Sequence, residues 1–517
     1  MRRFFNTAGP CVAERHYTID PLSRLKSVID LVEDQKYFIL HAPRQTGKST
    51  TIIALMEVLN NEGKYIALYV NVETAQPFRN DVESANEVFM SAIDGSARFY
   101  LPEPYWPSQN CFQVPSKKEG FRTFVSRWCT ELPKPLVLFI DEADALIGDS
   151  LLSLLRQVRS GYTQRPKGFP HSIALIGLRD LRDYRIYSDS EKRYVLGGSA
   201  FNIKDKSLVM QGFTPDEVRT LYAQHTAETG QQFEAAALDL IFEQTQGQPW
   251  LVNAIGRELC FEEHKVMPEG RTIVPEDVYR AIEILIQRRD THLDQLSDKL
   301  TEPRVARVVD AILSGADRPE DGKVSSEDIQ YVVDLGLVAR SRLGLTIANP
   351  IYREIIPREI TSVEQDYLRQ DPAWYVLPNG QLDIEKVLAR FITFYKENGE
   401  LLTERELYTE SAHHLSFMAW LQRIVNGGGY IRREYGLGLK FIDLVIEFGD
   451  EKFAFELKAE RHFKQAEALE QTAAYAKRMG VSEAYLVVFR RRMTDPEKVG
   501  IRDKIQHGNL LVHLIWM

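Results

Sequence analysis

Two groups of residues, far apart in the chain, have types and spacings suited to phosphate chemistry. The first is the run Ala42, Pro43, Arg44, Gln45, Thr46, Gly47, Lys48, Ser49 and Thr50. In a loop of this kind, backbone N–H groups and a helix N-terminus point at the β- and γ-phosphates of a nucleotide. Gly47 lets the backbone come close, Lys48 neutralises charge, and Ser49 offers a hydroxyl to Mg²⁺. The second group is Asp443, on one apolar run, and Glu456-Leu457-Lys458, which closes the next. Two carboxylates can hold Mg²⁺, which polarises a phosphodiester, while a lysine beside them activates or positions the attacking water. Both together suggest a chain that uses ATP to govern an attack on nucleic acid.

Each site needs elements to position it. Tyr37 to His41 reads as a buried strand, and Ile52, Leu55, Met56 and Leu59 mark one face of a helix after the loop. Strand, loop, helix is the context a phosphate-binding loop requires. Ala42 stands where a glycine is usual, which is tolerable if that position needs no positive φ. Leu136 to Ile140 is a continuous apolar run, as in a parallel strand buried on both faces, and it ends in Asp141-Glu142. Asp141 can hold Mg²⁺ through water, and Glu142 can act as general base. An α/β domain with a merely glycine-containing loop leaves that carboxylate pair unexplained. A further strand, Ser172 to Ile176, leads to Arg179, Arg182 and Arg185. These arginines either sense the γ-phosphate, with Arg179 among the nucleotide-binding residues, or form surface ion pairs. Arg156 and Arg159 are weaker candidates for reaching a neighbouring subunit. Gln76 to Lys118, rich in proline and aromatics, reads as an irregular insertion.

For the second site, a helical stretch is expected from Pro357 to about Glu400 and another from about Glu404 to Val425, ending at Gly427-Gly428-Gly429. Phe441 to Ile446 and Lys452 to Lys458 then form adjacent antiparallel strands about a turn at Gly449-Asp450. Pairing brings Asp443 and Glu456 to one end of the hairpin, and alternation puts Lys458 on the face of Glu456. A helix follows with a buried stripe of Ala466, Leu469, Ala473, Ala476 and Met479, and with Gln471 and Tyr475 on another face. The competing reading is a solvent-facing ion pair on a plain hairpin. The later apolar strands, Ala484 to Phe489 and Leu510 to Trp516, favour a larger fold. Arg490-Arg491-Arg492 is either a nucleic-acid backbone contact or a solvated run.

Between the sites, Thr214-Pro215-Asp216-Glu217 opens a helix with a capping box. Helical periodicity continues to about Arg289, with a turn at Met267 to Gly270. From Glu302 to Pro357, two helices, the second capped by Ser325, precede a hairpin turning through Ser341 to Gly344. Helix, helix and basic-tipped hairpin is a winged-helix pattern, with Arg340 and Arg342 in reach of phosphates. Glu327, Asp328 and Asp334 on the second helix would repel DNA, so a spacer or packing surface is the preferred role.

At 517 residues the chain needs about three or four cores. Boundaries are expected at 1–212, 213–300, 301–360 and 361–517. A net charge of −9 excludes a generally basic, DNA-coating protein and leaves nucleic-acid contact to local patches. Cys11, Cys111, Cys129 and Cys260 are too scattered for a zinc site or a disulfide framework, so reduced thiols in a cytoplasmic protein are expected. No run approaches the roughly 20 apolar residues of a membrane span, and no signal peptide follows Met1-Arg2-Arg3.

Over roughly residues 10–290, the order HAPRQTGKST, LVLFIDEAD, IGLRD and GQPW resembles the AAA-type and STAND-like P-loop ATPases. Gly247-Gln248-Pro249 resembles the glycine-x-proline element of their helical lid, and Tyr17 to Pro21 the segment that packs beside adenine. The resemblance implies ATP binding, slow hydrolysis and homo-oligomerisation. Over about 400–517, the Asp443, Glu456, Lys458 and Gln471 constellation resembles the PD-(D/E)xK nuclease superfamily, with Ile442 replacing its proline. That superfamily often adds a glutamate from the preceding helix; Glu410 is the first candidate and Glu434 the second. The expected fold is thus multidomain α/β: a P-loop parallel-sheet core, an α-helical lid, a winged helix and a restriction-endonuclease-like domain. DNA is the expected partner rather than RNA, and defence against foreign DNA fits the domain combination by association only.

Overall fold

The computed structural model describes residues 3–20, 24, 26–180, 185–189, 192–203, 205–262, 271–288, 298–313, 324–341, 344–360, 374–403, 412–425, 430–434, 443–460, 463–490, 499–500 and 502–517. Two compact units are present: residues 1–287 with 334–336, and residues 288–333 with 337–517.

The first unit begins with α1 (Lys26–Glu33), β1 (Tyr37–His41) and α2 (Lys48–Glu62), the expected strand, loop and helix. Next come β2 (Ile66–Asn71), α3 (Val82–Tyr100), α4 (Gly120–Glu131), β3 (Leu136–Asp141), α5 (Asp149–Gly161) and β4 (Ser172–Gly177). A small hairpin, β5 (Arg185–Ser188) and β6 (Arg193–Leu196), leads through the short α6 (Gly197–Ala200) to β7 (Lys206–Val209). The five-stranded sheet has the order β2-β3-β4-β1-β7 and is parallel throughout. Strand β4 therefore lies between the strand that feeds the loop and the strand that ends in Asp141. Every residue of β1, β3 and β4 is buried, because both sheet faces are covered. Val32, Ile52 and Leu55 pack on one face; Phe89, Trp128 and Leu155 pack on the other.

The expected irregular insertion is largely helix. Asp81 caps α3 by accepting from Ser84 N, and Ala85, Phe89, Ile93 and Ala97 form a buried stripe at intervals of four. The short 3-10 turns at Glu73–Phe78 and between Glu103 and Glu119 keep the proline-containing, irregular character.

Helices α7 (Pro215–Thr229), α8 (Ala235–Thr245), α9 (Pro249–Arg257) and α10 (Pro275–Arg288) complete this unit. The Thr214–Glu217 capping box forms in full. The expected turn at 267–270 lies outside the described residues. Gly247 has φ +72, and a Cβ there would sit 1.9 Å from the Phe213 carbonyl oxygen. Gly247→Ala combines a left-handed penalty of about 1–3 kcal/mol with that collision. A markedly lower thermal midpoint is expected, measured by differential scanning calorimetry.

The second unit holds α11 (Pro303–Leu313), most of α12 (Ser326–Asp334), and the antiparallel hairpin of β8 (Val338–Ser341) and β9 (Gly344–Ile347). Ser325 Oγ accepts from Asp328 N, so the expected cap is in place. α13 (Pro350–Ile360) carries Pro357 inside it. The helical stretch expected from Pro357 does not run unbroken: Val376 bridges Leu382 around a turn at Asn379-Gly380 before α14 (Ile384–Thr403). α15 (Ala412–Val425) precedes a six-stranded mixed sheet.

That sheet comprises β10 (Tyr430–Glu434), β11 (Asp443–Phe448), β12 (Glu451–Ala459), β13 (Glu483–Phe489), β14 (Arg502–His507) and β15 (Leu510–Trp516). The order is β10-β11-β12-β13-β15-β14, with β12, β13 and β15 mutually parallel and the other pairings antiparallel. α16 (Gln465–Met479) packs on it through Ala468, Leu469 and Ala476. Ala466, expected in this stripe, is exposed; Ala468 and Thr472 take the buried side. The rest of the expected stripe, Leu469, Ala473, Ala476 and Met479, packs on the sheet, and the small Thr472 joins the buried side because its hydroxyl is satisfied on Ala468 O.

Candidate functional site

Strand β1 delivers the loop to the carboxyl edge of the sheet, where α/β folds bind ligands. Ala42 extends the ladder by donating its N–H to Gly177 O at 3.2 Å. It is not in the left-handed region, so alanine fits; the loop's positive φ angles belong to Gln45 (57) and Gly47 (86). Thr46 Oγ1 donates to Pro43 O at 2.8 Å, which closes the loop on itself. Lys48 Nζ donates to Ala42 O at 2.8 Å and Pro43 O at 3.0 Å. Burial pushes this amine's pKa down, against the opposing pull of Asp141, Glu142 and Asp144. Arg44 is exposed.

Asp141 is 1% exposed, and both of its carboxylate oxygens accept hydrogen bonds. Its Oδ1 accepts from Glu142 N at 2.9 Å, and its Oδ2 accepts from Ser49 Oγ at 2.8 Å. The structure thus brings together Ser49 and Asp141, the two residues expected at Mg²⁺. These hard oxygens match the ligand preference of that ion. Glu142 has φ 56, and burial, then the charges of Asp144 and Asp141, push its carboxyl pKa up.

Two residues at this edge were not among the expected ones. Tyr69 OH donates to Asp141 Oδ2 at 2.7 Å, and Asp144 Oδ2 accepts from Leu178 N at 2.9 Å. The only signal for Tyr69 is a polar-tipped ring in an otherwise aliphatic strand. Asp144 had none: only the fold sets it against Gly177, where a Cβ would lie 2.6 Å from Asp144 Oδ1.

Arg179 pairs through Nε with Asp334 Oδ2 at 3.3 Å, both side chains buried. Arg159 Nη1 donates to Ser199 O, and Arg156 lines a surface pocket with Lys118 and Arg122. Arg182 and the side chain of Arg185 lie outside the described residues. The N-terminal segment forms a strap. Cys11 N donates to Thr50 Oγ1 at 3.0 Å, Trp250 Nε1 donates to Thr7 O at 2.9 Å, and Tyr17 OH meets His225 Nδ1 and Glu228 Oε2, each at 3.1 Å. Tyr17, expected beside adenine, is buried on α7.

In the second unit, Lys458 Nζ forms an ion pair with Glu456 and donates to Gln471 Oε1 at 2.8 Å. Three expected residues therefore meet, with both members of the pair 3% exposed at the side chain. The β11–β12 register runs from Leu444 opposite Phe455 to Phe448 opposite Glu451, and Glu434 pairs with Asp443 on the other side of β11. The side chains of Asp443, Glu434 and Tyr475, and all of Glu410, lie outside the described residues. Among the described residues no three His, Cys, Asp or Glu side chains group as a metal site. Arg490 approaches Glu460 at 3.8 Å and lies over the Trp516 ring; Arg491 and Arg492 lie outside the described residues. Arg340 bonds Gln330 on its own module, and Arg342 also lies outside. No described helix is long and apolar enough to cross a membrane.

No protein-family model matches the chain, and no curated protein does. Among solved structures, the Walker-type ATPase of Pyrococcus abyssi is similar at 15% identity and TM-score 0.47, covering 68% of this chain and 99% of the other. The ORC2 protein of Aeropyrum pernix is similar at 14% identity and TM-score 0.39, covering 66% and 93%. The RuvB Holliday junction branch migration motor of Thermotoga maritima is similar at 15% identity and TM-score 0.34, covering 65% and 92%. What is plain from the fold itself is a P-loop α/β unit with a parallel five-stranded core, joined to a second unit containing a mixed sheet.

Proposed function

We propose that the chain is an ATPase of the AAA type whose nucleotide state controls a metal-dependent nuclease acting on DNA. The observation that carries the reading is the meeting of Ser49, Asp141, Glu142 and Lys48 at the carboxyl edge of the parallel sheet. Lys48 exchanges its two carbonyl acceptors for phosphate oxygens. Ser49 and Asp141 would hold Mg²⁺, which when bound would neutralise charge on the β- and γ-phosphates. Glu142 takes the proton of the attacking water. The proposed division is an ATPase core at 1–212, a helical lid at 213–300, a winged-helix module at 301–360 and a nuclease-like domain at 361–517. In the last of these, Asp443 and Glu456 are the proposed metal ligands, with Lys458 and Gln471 beside them. A homo-oligomer, a cytoplasmic setting and a role in defence against foreign DNA complete the proposal.

A second reading is a nucleotide-switched protein whose nuclease-like domain only binds DNA or a partner. The sealing of Lys458 between Glu456 and Gln471 favours it, since that amine has acceptors already. Lys48→Ala is expected to lose MgATP binding by at least about 100-fold, by analogy with removal of a preorganised charge-stabilising group. Equilibrium binding of a fluorescent ATP analogue measures this. Unchanged affinity in Lys48→Ala would remove the phosphate loop from the account. Incubating the purified protein with plasmid, ATP and Mg²⁺ or Mn²⁺ separates the two readings: cutting supports the nuclease, and intact plasmid with every metal supports the switch.

A further inference from the structure

The carboxylate of Asp141 offers about four lone-pair positions. Three are taken by donors within this unit: Glu142 N on Oδ1 at 2.9 Å, and Ser49 Oγ and Tyr69 OH on Oδ2 at 2.8 and 2.7 Å. Glu142 N and Ser49 belong to the expected motifs, whereas Tyr69 comes from a different strand, β2. The register of β2 on β3 sets Asn71 opposite Asp141, so Tyr69 stands two residues back on the same face. Its ring is held by the edge of Tyr100 from α3, with centroids 6.3 Å apart at 86°, and its backbone N–H donates to Met56 Sδ at 3.3 Å. The ring is therefore braced by Tyr100 while its strand is anchored to Met56, and among the described donors the carboxylate that it grips has one lone-pair position left.

We infer that Tyr69 is a positioning residue of the nucleotide site: its O–H fixes the Asp141 carboxylate so that one oxygen lone pair faces the hydrated divalent cation that accompanies the nucleotide. This rests on the nucleotide-site reading above. Partners that orient a cation's ligands from behind are worth about 10- to 100-fold in metal affinity or activity. Tyr69→Phe keeps the ring against Tyr100 and removes only the donor.

The test is binding of a fluorescent ATP analogue by the full chain, first in EDTA and then across an Mg²⁺ titration. Tyr69→Phe is expected to match wild type in EDTA and to need about 10-fold more Mg²⁺ for half of the Mg²⁺-dependent gain. A Mg²⁺ half-saturation within about 2-fold of wild type overturns the inference. It does so even if the thermal midpoint falls, because the phenol would then only satisfy a buried carboxylate. Tyr69→Leu, which also loses the ring, should lower the midpoint further without raising the Mg²⁺ requirement beyond that of Tyr69→Phe; a much larger requirement would assign the effect to the ring and overturn the role of the O–H. If wild type binds the analogue neither with nor without Mg²⁺, the nucleotide-site reading itself fails and this assignment falls with it.

Discussion

Glu142→Gln is expected to lower ATP turnover by about 10²- to 10⁴-fold, the usual contribution of a positioned general base, while ATP affinity holds. Glutamine keeps the shape of the side chain. Its effect on the backbone should be small, because the left-handed geometry at this residue already tolerates a long polar side chain. Burial and the neighbouring Asp144 and Asp141 make the glutamate readier to accept a proton than an exposed one, and an amide has no such capacity. Phosphate release and equilibrium binding, measured on the same preparation, separate this variant from Lys48→Ala, which should lose the nucleotide itself. Turnover within about 10-fold of wild type would assign the base to another residue.

The second large effect concerns Glu456 and Lys458. Replacing Glu456 alone removes the partner of a buried ammonium, and breaking a buried pair typically costs about 3–5 kcal/mol. Loss of DNA cutting in Glu456→Ala is therefore expected together with a lower midpoint, and the two causes would be entangled. The double variant Glu456→Gln with Lys458→Met removes both charges, and such replacements are often neutral in stability. It should regain most of the thermal midpoint, hydrolyse ATP as wild type does, and leave plasmid uncut with ATP and Mg²⁺ or Mn²⁺. A double variant that cuts at the wild-type rate would strip these residues of any catalytic part.

The strand, loop and helix around Lys48 were legible because their signal is local. Lys48, Ser49 and the strand before them are contiguous, and a buried parallel strand ending in two carboxylates leaves a plain trace in Leu136 to Glu142. The Thr214 capping box was legible for the same reason. α3 was missed because the prolines and aromatics after Leu101 coloured the whole insertion, although Asp81 and the four-residue spacing from Ala85 were there to be counted. Tyr69 could not be found this way: its partner is 72 residues later, and only the β2–β3 register joins them. The pairing of Arg179 with Asp334, 155 residues apart, was hidden for the same reason. In α16, Leu469, Ala473, Ala476 and Met479 pack on the sheet as expected, while Thr472 was missed because a buried threonine that bonds its own backbone looks polar in the sequence.

The strap near the N-terminus joins two places that strand pairing does not. One short stretch is bonded to Thr50, in the first turn of α2, and also to α7 and α9. If the proposed nucleotide shifts the start of α2, that shift reaches those helices through one continuous stretch of chain. Linkage is symmetric, so a contact that steadied the helices would then change the hold on that nucleotide by the same factor, without touching it.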